Sequence, residues 1–316
     1  MNFDPRTSKL DFVKHRKKFF SFSAVFLMVG MILLSTVGLN LGIDFAAGTT
    51  VEVLAEEEIT AAEIEQEFAD IGYDPDDVVL AGDNDIARAS FVGGLSDDES
   101  LEVQSHFDDL YGNTPNVATI TPIVGEELAM NAFISVLIAS LGIIIYVTFR
   151  FEFLYGVSAI IALFHDALFI ITVFSIVQME VNIPFIAAVL TIIGYSINDT
   201  IVTFDRIREN MSLEEKVESF EEVSAVVNKS LVQTLARSIN TVLTVVFAAG
   251  ALLLIGGEGL RVFSFALVVG LVAGTYSSLF IAAQVWAVLK TKQLERRRRK
   301  REEQEALEAE QAETET

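Results

Sequence analysis

The stretch Ile193-Gly194-Tyr195-Ser196-Ile197-Asn198-Asp199-Thr200-Ile201-Val202-Thr203-Phe204-Asp205-Arg206 decides how the chain is read, because Asn198 and Asp199 sit inside an apolar run. From residue 183 to 204 the only charged side chain is Asp199. About 20 such residues form an α-helix long enough to cross ~30 Å of hydrocarbon. Working outward, five more runs of this kind occur, at 19–39, 128–149, 154–177, 232–255 and 262–289. The expected fold class is therefore a membrane α-helical bundle with six transmembrane helices. The hydrophobic content of 52% is concentrated in these runs.

The formal net charge of −22 at first suggests a soluble acidic protein, but its location says otherwise. Residues 41–127 hold 22 Asp and Glu against one Arg and no Lys. A surface this acidic suits high salt, from which a halophilic host is inferred. The Asp83–Asp85 run lacks the glycine and later glutamate of an EF-hand loop, so no calcium site is expected. With no cysteine there is no disulfide or thiolate chemistry.

Topology follows from basic residues. Arg6, Lys9, Lys14, Arg16, Lys17 and Lys18 precede the first run, and Lys290, Lys292 and Arg296 to Arg301 follow the last. The positive-inside rule places both ends, 1–18 and 290–316, in the cytoplasm, which requires an even number of crossings. The first run is too long for a signal-peptide core and no A-x-A site follows, so it is read as an uncleaved span. The loop 205–231 then falls inside and 40–127 outside. The outer segment reads as strand Thr49–Leu54, a helix capped by Thr60 with Glu63, strands Val78–Leu80 and Ala87–Val92, a helix from Ser96 with Glu99 to Tyr111, and strand Val117–Val124. This βαββαβ order predicts an α+β ferredoxin-like domain between helices 1 and 2.

Ionisable groups in hydrocarbon cost about 2.5–3.5 kcal/mol on insertion scales and are functional candidates for that reason. His165 and Asp166 lie midway along span three, Asn198 and Asp199 in the inner half of span four, and Arg237 in the inner part of span five. At 1.5 Å per residue Asp199 lies ~9 Å and Arg237 ~7.5 Å inside the membrane, on antiparallel neighbours, so the two are expected to pair. Pairing favours the charged carboxylate and burial the neutral one, which poises Asp199 to exchange a proton. A static pair that only fixes helix packing is the alternative. Ala266, Gly270, Gly274 and Ser278, four residues apart on span six, form a small-residue stripe for close helix packing.

Four stretches carry a family resemblance: Gly42-Ile43-Asp44-Phe45 with Gly48-Thr49; Ala162-Leu163-Phe164-His165-Asp166; Ile193 to Asn210; and Thr234-Leu235-Ala236-Arg237-Ser238-Ile239-Asn240-Thr241 with Gly274-Thr275-Tyr276-Ser277-Ser278. In order and at matching depths, they resemble the SecF branch of the SecD/SecF family, a subgroup of the RND transporter superfamily. The resemblance implies a plasma-membrane, multi-pass subunit that binds SecD and works beside the SecYE channel on a translocating unfolded polypeptide. A proton or sodium gradient would drive it, with Asp199 and Arg237 in the ion-coupling positions. It implies membrane lipids as surroundings, no cofactor, and no nucleic acid. Ala46-Ala47 departs from the family, which usually has a second glycine before Gly48. An archaeal host would lack the ATP-driven export motor of bacteria. An RND-type small-solute exporter half and a passive scaffold for SecD are the competing readings. Catalysis is not expected, since zinc spacing, a nucleophile elbow and a P-loop are all missing.

Overall fold

A computed structural model of the protein describes residues 11–314 apart from Glu56, Asp83, Glu215 and Lys216. Arg6 and Lys9 of the basic N-terminal cluster, Asp83 of the acidic run and Lys216 of the inner loop lie outside the described residues. Six helical rods are long and apolar enough to cross a membrane: α1 (Arg16–Thr36), α5 (Pro122–Arg150), α6 (Phe153–Val177), α7 (Ile183–Leu213), α8 (Phe220–Ile255), and a composite of α9 (Glu258–Ser277), a π-helical turn (Ser278–Ala282) and α10 (Ala283–Thr314). α9 lies at the centre, packed on α6, α7 and α8, while α1 leans on α6 and α5 flanks the bundle. Gly30 permits the α1 approach, since a side chain there would collide with Thr172 of α6.

Helix ends differ from the apolar runs because apolarity records membrane thickness, whereas caps and polar pairs set where helices stop. α7 continues nine residues past 204, to Leu213. The extension is laced by Arg206–Glu209 at 2.6 Å and Arg208–Asp205 at 2.8 Å. Asn210 then donates to Ser230 Oγ and Gln233 Oε1, both at 2.8 Å, fastening this extension to α8. α8 starts early, at a Ser219/Glu222 capping box. The expected loop 205–231 therefore shrinks to 214–219. The charged tail 290–316 likewise continues the last helix through Thr314.

The segment between α1 and α5 folds as β1 (Gly48–Leu54), α3 (Ala61–Asp70), β2 (Asp77–Ala81), β3 (Ile86–Val92), α4 (Asp97–Tyr111) and β4 (Asn116–Ile120), with a short α2 (Ile43–Ala46) before it. The sheet is antiparallel in the order β2-β3-β1-β4, as a ferredoxin-like sandwich requires. Period-2 alternation places Val51, Val53, Ala87, Ala89 and Phe91 inward, against Ile64 and Phe68 of α3 and Val103 and Phe107 of α4. Both helices open with the expected capping boxes. Ser96 holds the Glu99 carboxyl below its ordinary range through backbone and side-chain hydrogen bonds. The last strand ends at Ile120 rather than Val124, because Pro122 at the first turn of α5 starts that helix six residues before the expected 128.

The sequence reading missed how this domain is tethered. Leu41 bridges Val181 in the α6–α7 loop, with Val181 N–H donating to Asn40 O at 2.8 Å and Gly42 N–H to Val181 O at 3.0 Å. Ile183 N–H donates to Asp44 Oδ2 at 2.9 Å. Ala47 turns the chain into β1 at φ 64°, in a region where alanine is strained and glycine is not.

Candidate functional site

Two polar clusters occupy the bundle. The first is built on α6, where Asp166 and His165 are 3% and 5% exposed. Asp166 Oδ2 accepts hydroxyl hydrogens from Ser196 of α7 at 2.5 Å and Ser277 of α9 at 2.9 Å. Its other oxygen faces His165 Nδ1 at 3.3 Å. His165 Nε2 is 3.1 Å from Ser23 Oγ of α1, Ser23 donates to Tyr276 at 3.2 Å, and Tyr276 donates to the Phe19 carbonyl at 3.0 Å.

This chain has a direction. The Phe19 carbonyl can only accept, so Tyr276 spends its hydrogen there and Ser23 spends its own on Tyr276. Ser23 Oγ must then accept from His165 Nε2–H. A hydrogen bond between His165 Nδ1 and Asp166 Oδ1, 3.3 Å apart, then requires one proton shared between them.

The second cluster surrounds Asp199 on α7. Ser238 of α8 donates to Asp199 Oδ1 at 2.5 Å, while Oδ2 is buried without a hydrogen-bond partner. Both Asp199 and Arg237 line a cavity of about 80 Å³ with Ser196, Asn198, Thr241, Gly270, Gly274 and Thr275. By volume it admits a few waters. A larger cavity of about 800 Å³, lined by Asp205, Arg206, Arg208, Gln233 and again Arg237, opens beside it towards the α7–α8 turn. Arg237 thus stands between a wide vestibule and the small chamber of Asp199.

The expected ion pair is not formed: among the described residues no Asp199–Arg237 salt bridge occurs. Asp199 is taken instead by Ser238, the residue beside Arg237, because successive residues on a helix point about 100° apart and Ser238 is the one buried towards α7. Arg237 is exposed, as is Asn198, and Tyr195 is 41% exposed on the same helix.

The small-residue stripe faces α7. Ala266 and Ser278 are fully buried, a side chain on Gly270 would collide with Ile192, and a Cβ on Gly274 would lie 3.0 Å from Ser196 Cβ. Ser278 Oγ lies 2.8 Å from Thr200 Oγ1. The close approach lets Ser196 reach Asp166 while also lining the Asp199 chamber, so the two clusters share that serine. Sequence reasoning found Asp166, His165, Asp199 and Arg237 but missed Ser23, Ser196, Ser238, Tyr276 and Ser277. Hydroxyls carry no charge penalty, so nothing distinguishes them from other membrane serines until packing shows which acid they meet.

Comparison with known proteins matches residues 102–292 to the family described as protein export membrane protein SecD/SecF, C-terminal, and residues 32–58 to the SecD/SecF GG motif. The chain is 50% identical over 298 residues to the protein translocase subunit SecDF of Bacillus subtilis (strain 168), covering 93% of this chain and 40% of that protein. It is 38% identical to the protein translocase subunit SecF of Alicyclobacillus acidocaldarius, covering 91% of this chain and 95% of that protein. The crystal structure of SecDF from Thermus thermophilus superposes with a TM-score of 0.75 at 33% identity, over 90% of this chain and 39% of that one. The chain therefore spans about two fifths of the SecDF proteins it matches and nearly all of the SecF protein. With the six-helix bundle and the βαββαβ domain described above, these matches establish that the chain belongs to the SecD/SecF family of protein-export membrane proteins.

Proposed function

We propose that the chain is the SecF-type half of an export accessory that turns a transmembrane ion gradient into movement beside the SecYE channel, helping to draw an unfolded polypeptide across. Its two ends lie in the cytoplasm, as the basic residues at both helix termini indicate. One observation carries the reading. A carboxylate at membrane depth, with one oxygen hydrogen-bonded and the other unpartnered, faces a chamber that adjoins a wide vestibule at an arginine.

Asp199 is the exchanging group in this reading. When it takes up a proton or a sodium ion its charge is cancelled, the attraction of Arg237 weakens, and α7 and α8 are free to shift. Ser196 passes the change to Asp166 and His165, whose shared proton redistributes without creating net charge in the bundle. A potential of 100 mV supplies about 2.3 kcal/mol per charge, which biases a conformational equilibrium and implies repeated strokes for one exported chain.

The exposed face carrying Tyr195, Asn198 and Arg237 would be costly against lipid and calls for a polar cover. A SecD-type partner supplies one, consistent with SecDF relatives in which the matched region is 40% of a longer chain. The test is Asp199→Asn in cells. Secretion is expected to lose its response to a protonophore or, for a sodium-driven system, to a sodium ionophore, while the partner complex still assembles. Unchanged secretion with an unchanged ionophore response would support a passive scaffold instead. Gradient-driven efflux of small solutes by the purified partner complex would support an exporter.

A further inference from the structure

We propose that a groove between the N-terminal segment and the start of α8 is a binding site for the phosphodiester headgroup of a singly charged anionic phospholipid. The groove encloses about 830 Å³ and is lined by Lys14, Arg16 and Lys229 together with Asp11 and Glu221. Three cations and two carboxylates leave one positive charge, which matches one phosphodiester anion.

The cations are positioned and under-used. Arg16 is held over the Phe220 ring at 4.3 Å and donates one N–H to the Val13 carbonyl at 3.2 Å, leaving its other donors available. Among the described residues neither Arg16 nor Lys14 has an ion-pair partner, and Lys229 meets only Glu214, at 3.8 Å. Ser224 Oγ, on the groove wall, is buried without a hydrogen-bond partner. Asp11 is engaged at one oxygen by the Lys14 N–H at 2.9 Å. Arg16, Lys14, Lys229 and the Ser224 hydroxyl all have hydrogen-bond donors to offer, and a phosphodiester brings only acceptors.

Depth favours a lipid over free phosphate. Arg16 opens the α1 span, and Val232, where the apolar run of α8 begins, also lines the groove. The site therefore sits at headgroup level. Basic pockets at this level on the cytoplasmic side are where anionic headgroups bind. Because α8 also carries Arg237, the lipid would anchor the inner end of a helix bordering the Asp199 chamber. The binding claim itself does not depend on the export reading.

The experiment uses the full chain in nanodiscs of equal phosphatidylglycerol and phosphatidylcholine, with retained lipid counted by native mass spectrometry after extraction. Wild type is expected to retain phosphatidylglycerol selectively. Lys14→Gln with Lys229→Gln is expected to lower retention roughly thirtyfold, by the loss of two near-surface charges at about 1 kcal/mol each. Lys292→Gln with Arg296→Gln, which removes equal charge from the same membrane face, is expected to change retention far less, because neither residue lines the groove. Ser224→Glu keeps all three cations but puts a carboxylate in the groove, and is expected to expel the lipid. Equal losses in the two double variants, or retention unaffected by Ser224→Glu, would overturn the site in favour of diffuse attraction. Displacement of the lipid by excess inorganic phosphate would reassign the groove to free phosphate and overturn the lipid proposal.

Discussion

Gly270 shows how one hydrogen atom in place of a methyl sets the geometry of the polar clusters in the bundle. A Cβ there would collide with Ile192, which is 1% exposed. Gly270→Ala is expected to cost about 1–3 kcal/mol as overpacking, read as a lower thermal midpoint in detergent. It should also weaken the Ser196–Asp166 hydrogen bond, visible as a shift in the carboxyl infrared band. Gly274→Ala meets Ser196 less closely, so a smaller loss is expected. The stripe was legible in the sequence because small residues recur at helical spacing. Its partner stripe of Ile192, Ser196 and Thr200 was not, since mixed large and hydroxyl side chains carry no such signature. The failed Asp199–Arg237 pairing has a similar cause: the depths matched, but depth does not give the direction of a side chain around its helix.

Among the elements, the turn into β1 bears the clearest strain. Ala47 has φ 64°, and the following Gly48 lies so close to the Phe91 carbonyl that a side chain would not fit. Ala47→Gly is expected to stabilise the chain by about 1 kcal/mol, the relief of an unfavourable φ less the added freedom of the unfolded glycine. A rise of about 2 °C in thermal midpoint would register it. No change would show that the outer domain holds this turn at no cost. The outer domain was otherwise read closely, since alternation and two capping boxes are local signals. The short α2 was not, because four residues are too few to show a helical period, nor was the bridge from Leu41 to Val181, which joins residues 140 positions apart and leaves no periodic trace.

For the whole molecule, the junction between the outer domain and the bundle holds an acid of unusual character. Glu180 in the α6–α7 loop has its carboxyl pushed above the ordinary range by burial first, then by Asp77 of β2 and Asp44 of α2. Its folded value exceeds its unfolded value, so the folded junction holds the proton more tightly. Stability is therefore highest below the unfolded value and falls as pH rises from there through the raised one. Glu180→Gln is expected to flatten that dependence and to hold the domain against the bundle at neutral pH, as read by the distance between spin labels on β3 and α9. An unaltered pH profile would assign the dependence to other carboxylates.

The last crossing also has a mechanical side. From Gly259 to Glu308 it is one unbroken rod of 50 residues, roughly 75 Å at helical rise and more than twice the hydrocarbon thickness. One end abuts β2 and the other projects well past the opposite membrane face. A tilt imposed on the outer domain would reappear, inverted and magnified as by a lever, at the far tip. The π-helical turn, lying just beyond Ser277, is where such a lever would pivot.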